Sequence, residues 1–190
     1  MSKNRIGKLF LIIGPMGGGK TTRLIQQYER YALAGRKCIM LKPIIDTRSA
    51  STKVTTHKKR FEADAIPCHK LADADPLVKE VDVVCIDELQ FFGEDGSYYC
   101  KKWADEGKIV EGCGLNGTSD QEHFPGNTIP DLLPHIDGIE FLPAVCEETG
   151  KDAPFTACMV PKDSPVAIGG MEMYKPVDRE VLLSLKTKSS

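Results

Sequence analysis

Residues 8–21 read KLFLIIGPMGGGKT, and this stretch decides the fold. Residues 9–13 are an unbroken apolar run of the length of a buried strand. Gly14-Pro15-Met16-Gly17-Gly18-Gly19-Lys20-Thr21 then fits G-x-x-x-x-G-K-[ST], between that strand and a helical pattern. Glycines let the backbone curl so that several N–H groups face one phosphate at the positive end of a helix. Lys20 supplies a mobile charge toward the β- and γ-phosphates, and the Thr21 hydroxyl is placed to ligate magnesium. The expected ligand is a nucleoside triphosphate with Mg²⁺.

Working outward, TTRLIQQYERYALAG puts Leu24, Tyr28, Tyr31 and Ala32 on one helical face, with Gly35 as the stop. KCIMLKP reads as a second strand ended by Pro43. Strand, loop, helix and strand make the unit of a parallel sheet flanked by helices, so the expected class is α/β and P-loop NTPase-like. Residues 46–60 read as a loop, with a weak element at 65–71 and a buried strand in VDVVCIDE. A helix at 97–106, a strand at 108–113, a loop at 117–127, a short helix at 129–135 and a strand at 138–142 follow. The expected division is a P-loop domain over residues 1–143 and a small irregular appendage over 144–190. Within the appendage only PVAIGG looks strand-like, and the last ten or so residues read as a flexible tail.

Composition narrows the function. The 190 residues are 41% hydrophobic, and 25 Lys and Arg stand against 27 Asp and Glu, so no chain-wide field recruits nucleic acid or an anionic membrane. The basic stretch Lys53, His57, Lys58, Lys59, Arg60 reads as a solvated loop. No apolar run approaches the roughly 18 residues of a membrane span, and a cytoplasmic location is expected. Seven scattered cysteines contain no C-x-x-C, which argues against a disulfide framework and a zinc ribbon. Cys38, Cys85 and Cys113 read as core fillers.

Asp87 and Glu88 end the strand VDVVCID, where parallel sheets deliver active residues beside a phosphate loop. Neighbours on an extended chain point opposite ways, which assigns Asp87 to the metal and frees Glu88 to accept a proton from a nucleophile. A P-loop ATPase or nucleotide-binding regulator, with Glu88 activating water, is the rival from another class.

The phosphate loop, Asp46-Thr47-Arg48, Asp87-Glu88-Leu89-Gln90-Phe91-Phe92, Leu115-Asn116-Gly117-Thr118, Pro143-Ala144-Val145-Cys146, Ile168-Gly169-Gly170 and Tyr174 together resemble the cytosolic-type (type II) thymidine kinases, in the same order. The resemblance implies ATP-dependent phosphorylation of thymidine, and of deoxyuridine, by a homotetramer. It implies Glu88 as catalytic base, Arg48 near the transferring phosphate and Asp46 near the metal. ATP would lie against residues 14–21, Asp87 and Gln90. Met16, Gln90, Phe91, Leu115 and Phe124 match positions around the base. Thr156, Val166, Ala167, Ile168, Gly169 and Tyr174 match a lasso that closes over the nucleoside. The family's four zinc cysteines are reduced here to Cys146, with Thr149 in its partner's place, so no zinc is expected. Ser119 replaces a common aromatic and Cys158 a common basic residue, which opens a second reading as a nucleoside kinase of altered specificity.

Overall fold

The computed structural model describes residues 6–45, 53–55, 62–160 and 169–188. In chain order the first elements are β1 (Lys8–Gly14), α1 (Lys20–Leu33), β2 (Cys38–Pro43), β3 (Lys53–Thr55), β4 (Glu62–Asp64), β5 (Ile66–Cys68), α2 (Asp75–Val78) and β6 (Val83–Ile86). Then come α3 (Gly93–Asp105), β7 (Ile109–Leu115), α4 (Thr128–Leu132) and β8 (Gly138–Phe141). The chain finishes with β9 (Ala144–Val145), β10 (Asp152–Ala153), β11 (Phe155–Cys158), β12 (Tyr174–Val177) and α5 (Arg179–Lys188).

Six strands form one parallel sheet in the order β5-β2-β6-β7-β1-β8. The expected α/β architecture is present. All four residues of β6 are buried because the sheet is covered on both faces. Side chains alternate between those faces with the strand period of two. Leu9, Leu11, Val84, Ile86 and Val110 pack on Leu71, Trp103 and Leu132, while Ile12, Met40, Val83 and Cys85 pack on Leu24 and Ile25 of α1. Trp103 is fully buried, and its indole N–H donates to Asp75 Oδ1 at 2.7 Å, so its polar atom costs the core nothing.

Several expectations need correction. On α1, Ile25 and Gln27 are buried and Ala32 is exposed, so the buried stripe is rotated from the one read by spacing. Helix α3 starts at Gly93, four residues early, although G-E-D-G reads as a turn. A Cβ at Gly96 would lie 2.6 Å from Thr128 Cγ2, so glycine there serves helix packing. Within 46–60, residues 53–55 form a strand paired with β4, with Val54 buried opposite Ala63.

The appendage is more ordered than its composition suggests. β9 pairs with β10, β11 pairs with β12, and the supposed tail is α5. Ala144, Cys146, Ala153, Ala157, Val177, Val181 and Leu182 bury one another as a separate small core. Strands of two to four residues carry too little periodicity to be read from sequence. Of PVAIGG, residues 165–168 lie outside the described residues, and Gly169 and Gly170 belong to no strand.

Candidate active site

In the strand order, β7 lies between β1 and β6, so the phosphate loop and the Asp87-Glu88 pair flank the end of β7. Gly14 is in register with Leu115 there. Carboxyl ends of parallel strands are where such sheets bind ligands.

The loop is shaped by two different constraints. Gly19 sits at φ 81 as the residue before α1, a conformation natural to glycine, and the space around it is open. Gly18 is pressed against the chain after β8: a Cβ would come within 2.4 Å of the Leu142 carbonyl oxygen. Lys20 folds back and donates to the Pro15 carbonyl at 2.6 Å. Burial lowers the Lys20 pKa, while Glu88, Cys113 and Asp87 act to raise it.

Asp87 is buried, and its Oδ1 accepts from Thr21 Oγ1 at 3.2 Å and from the Cys113 thiol at 2.9 Å. Burial raises its pKa, opposed by those two donors, by the Glu88 backbone and by the Lys20 charge. Glu88 is not on extended chain as the sequence implied. It adopts φ 51 and ψ 42, an uncommon left-handed conformation just beyond the end of β6. Gln90, 1% exposed, accepts from Leu115 N–H at 3.0 Å and donates to Glu88 Oε2 at 2.6 Å.

Beside them, Phe91 and Phe124 meet edge to face with ring centroids 5.6 Å apart. Gln90, Leu115, Asn116, His123, Phe124 and Thr128 line part of an adjoining recess of about 10 Å³, space for one water. The phosphate loop also touches the appendage. Met16 N–H donates to Thr156 Oγ1 at 3.0 Å, and Asn116 Nδ2 donates to the Pro154 carbonyl at 3.2 Å. The side chains nearest Gly17 belong to Met171, Pro176 and Ala144. Tyr174 is buried on β12, in register with Cys158.

The structure thus gathers residues 14–21, Asp87, Glu88, Gln90, Phe91, Leu115, Phe124 and Thr156 about one end of the sheet. Asp46, Arg48, Val166, Ala167 and Ile168 lie outside the described residues, while Gly169 stands against the Met173 side chain. Two residues were missed. Cys113 is no mere core filler, because its thiol bonds Asp87. Lys42, at the end of β2, senses the Asp87 charge: burial lowers its pKa and Asp87 opposes that. A lysine closing a parallel strand was the legible signal for Lys42; nothing in the sequence marked Cys113.

Structural zinc takes four Cys or His ligands, and among the described residues no group of three or more His, Cys, Asp or Glu side chains gathers around Cys146. The Thr149 hydroxyl donates to Asp178 Oδ2, and Asp178 Oδ1 accepts from Val181 N–H at 2.9 Å. Burial pushes the Cys146 thiol up, but hydrogen bonding with the Thr149 side chain and with the Asp178, Thr149 and Glu148 backbone outweighs it and holds the thiol below its ordinary value. These partners are committed to one another.

Comparison with known proteins points to one family. The model of the thymidine kinase family matches residues 7–182. The chain is 38% identical over 174 residues to a thymidine kinase of variola virus, covering 92% of this chain and 96% of that one. It is 36% identical to a thymidine kinase of Amsacta moorei entomopoxvirus, over 89% of this chain and 94% of the relative. A thymidine kinase of the archaeon Pyrobaculum aerophilum is 38% identical, over 88% of this chain and 94% of its own.

Proposed function

The chain belongs to the thymidine kinase family, and from that premise we propose that it transfers the γ-phosphoryl group of ATP to the 5′-hydroxyl of thymidine, and of deoxyuridine. The observation that carries this reading is Glu88, placed beside the phosphate loop in a left-handed turn and tied by Gln90 to the end of β7. A carboxylate braced in that way is suited to one proton transfer at one position.

Phosphoryl transfer needs alignment and charge neutralisation more than covalent help. The backbone of residues 14–21 cradles the phosphates, and Lys20 leaves its Pro15 contact to meet the β- and γ-phosphates. Thr21 Oγ1 and the Asp87 carboxylate are hard oxygen donors and fit Mg²⁺, which when bound offsets phosphate charge. Glu88 takes the 5′-hydroxyl proton as that oxygen bonds to the γ-phosphorus. The bond to the β–γ bridging oxygen breaks, and ADP leaves with the electron pair. Asp46 and Arg48 add a metal-side carboxylate and a phosphate-side cation, as the family resemblance implies.

Met16, Phe91, Leu115 and Phe124 hold the base and exclude water as a competing acceptor. Thr156, Val166, Ala167, Ile168, Gly169 and Tyr174 close over the nucleoside, which makes residues 144–190 a substrate-closing unit on the P-loop domain of residues 1–143. The appendage works without zinc, held by its own core and by the Thr149–Asp178 bond. We read the enzyme as a cytoplasmic homotetramer, a reading that the family resemblance supports. Among the described residues, no helix is long and apolar enough to cross a membrane.

The test is thymidine monophosphate formation from Mg²⁺ and ATP, with a panel of nucleosides alongside. Thymidine-dependent product is expected. Phosphate release from ATP that ignores nucleoside would instead identify an ATPase, and equal turnover of several bases a broad nucleoside kinase.

A further inference from the structure

β7 contributes more than a core strand to the site. Cys113 projects from it into the buried space between β6 and the start of α1, where its sulfur lies 2.9 Å from Asp87 Oδ1. The same Oδ1 accepts from Thr21 Oγ1 at 3.2 Å. One carboxylate oxygen therefore receives two donors from two different elements. Together they fix the rotation of the carboxylate, which also accepts from the Glu88 backbone. Cys113 is 1% exposed and Asp87 8%, so water is poorly placed to replace either donor. A hydrogen bond to a buried carboxylate weighs more than one at the surface, because the alternative is an unmet charge.

We propose that Cys113 is a positioning residue for phosphoryl transfer, its thiol donating to Asp87 Oδ1 and so fixing the orientation of the carboxylate beside the Thr21 hydroxyl. The proposal rests on the kinase reading only for its kinetic consequence; the contact itself is read without turnover. Alanine removes the donor and leaves Thr21 and the Glu88 backbone to hold the carboxylate. Serine keeps a donor of similar size at the same place. Loss of a group that braces a metal ligand commonly weakens metal affinity by 10–100-fold, and with Thr21 still in place the low end, roughly tenfold, is expected.

Two readouts test it on the full chain. The first is the infrared S–H stretching band, with Cys113→Ala and Cys100→Ala used to assign two fully buried thiols. The Cys113 band is expected at lower frequency than that of Cys100, whose surroundings are apolar, and it should move up in Asp87→Asn. The second is Mg²⁺ titration of the protein with a fluorescent ATP analogue bound. Cys113→Ala should weaken the Mg²⁺ midpoint roughly tenfold, Cys113→Ser should restore it to within about threefold, and Cys100→Ala should leave it unchanged. In turnover the alanine variant should need more Mg²⁺ while the thymidine KM stays put.

Coincident S–H bands for Cys113 and Cys100, or a Mg²⁺ midpoint indifferent to Cys113→Ala, would overturn the assignment. So would a serine variant as impaired as alanine. Should Cys113→Ala fail to fold, the serine variant and the wild-type band shift in Asp87→Asn still decide. Absence of turnover with every nucleoside, alongside a normal Mg²⁺ result, would reject the kinase reading and leave this one standing.

Discussion

Gln90 holds Glu88 by a 2.6 Å hydrogen bond, and Gln90 is itself fixed by the Leu115 backbone N–H at 3.0 Å. The amide cannot flip without turning both contacts into repulsions, so its orientation is determined by its partners. Gln90→Leu keeps the volume and removes both bonds. The buried Leu115 N–H is then unmet, which costs about 1–3 kcal/mol and should lower the melting temperature. We expect kcat to fall while the KM for ATP stays nearly constant; steady-state kinetics at saturating thymidine checks this.

Glu88→Gln separates base chemistry from binding. General-base help is typically worth about 10²–10⁴-fold, and kcat should drop by that order. Nucleotide affinity, measured by equilibrium titration, should be preserved because the phosphate loop is untouched. A variant with near-native kcat would remove Glu88 from its role.

The two loop glycines should respond differently to alanine. At Gly19 the new methyl meets nothing within 4 Å, so only the left-handed backbone is penalised, by about 1–2 kcal/mol. At Gly18 it meets the Leu142 carbonyl at 2.4 Å, and backbone must move. ATP affinity and thermal stability should both suffer more in Gly18→Ala than in Gly19→Ala.

Glu111 offers a stability prediction away from the site. It is 3% exposed in the middle of β7, where Oε1 accepts from the Tyr31 hydroxyl at 2.9 Å and Oε2 is buried without a hydrogen-bond partner among the described residues. It lines a cavity of about 230 Å³ with Lys8, Phe10, Gln27, Tyr31 and Asp137. Burial raises its pKa above 4.5, against the Tyr31 bond and Arg23, with Glu140 adding to the rise. The folded chain then holds this proton more readily than the unfolded one, so Glu111 lowers stability as pH climbs above 4.5. Glu111→Gln should therefore melt higher than wild type at pH 7, and the gain should shrink as pH falls toward 4.5.

How far the sequence carried depended on periodicity and motif. The run at residues 9–13, the glycine loop and the apolar β6 each named their own structure, because a strand buried on both faces must be continuously apolar. Asp87 and Glu88 were legible from the end of that strand. The bracing was not. Cys113–Asp87 spans 26 residues and Gln90–Leu115 spans 25, and such contacts follow from strand order, which no local pattern encodes. The same holds for the appendage, where β11 and β12 find each other across a 15-residue interval and Thr156 reaches Met16 across 140 positions.

That last contact makes the two substrate sites mechanically continuous. Thr156 belongs to the unit assigned to the nucleoside, and Met16 to the loop assigned to ATP, yet one hydrogen bond joins them and Gly17 lies beneath Met171 and Pro176. On the proposed reading, a shift that seats one substrate reaches the other's wall through this bond, and a change it makes in affinity runs equally in both directions by linkage. On that reading, a chain cut at residue 143 would lose its closing unit and with it the Thr156 contact to the phosphate loop, so donor and acceptor are partners in assembling the pocket before they are partners in the reaction.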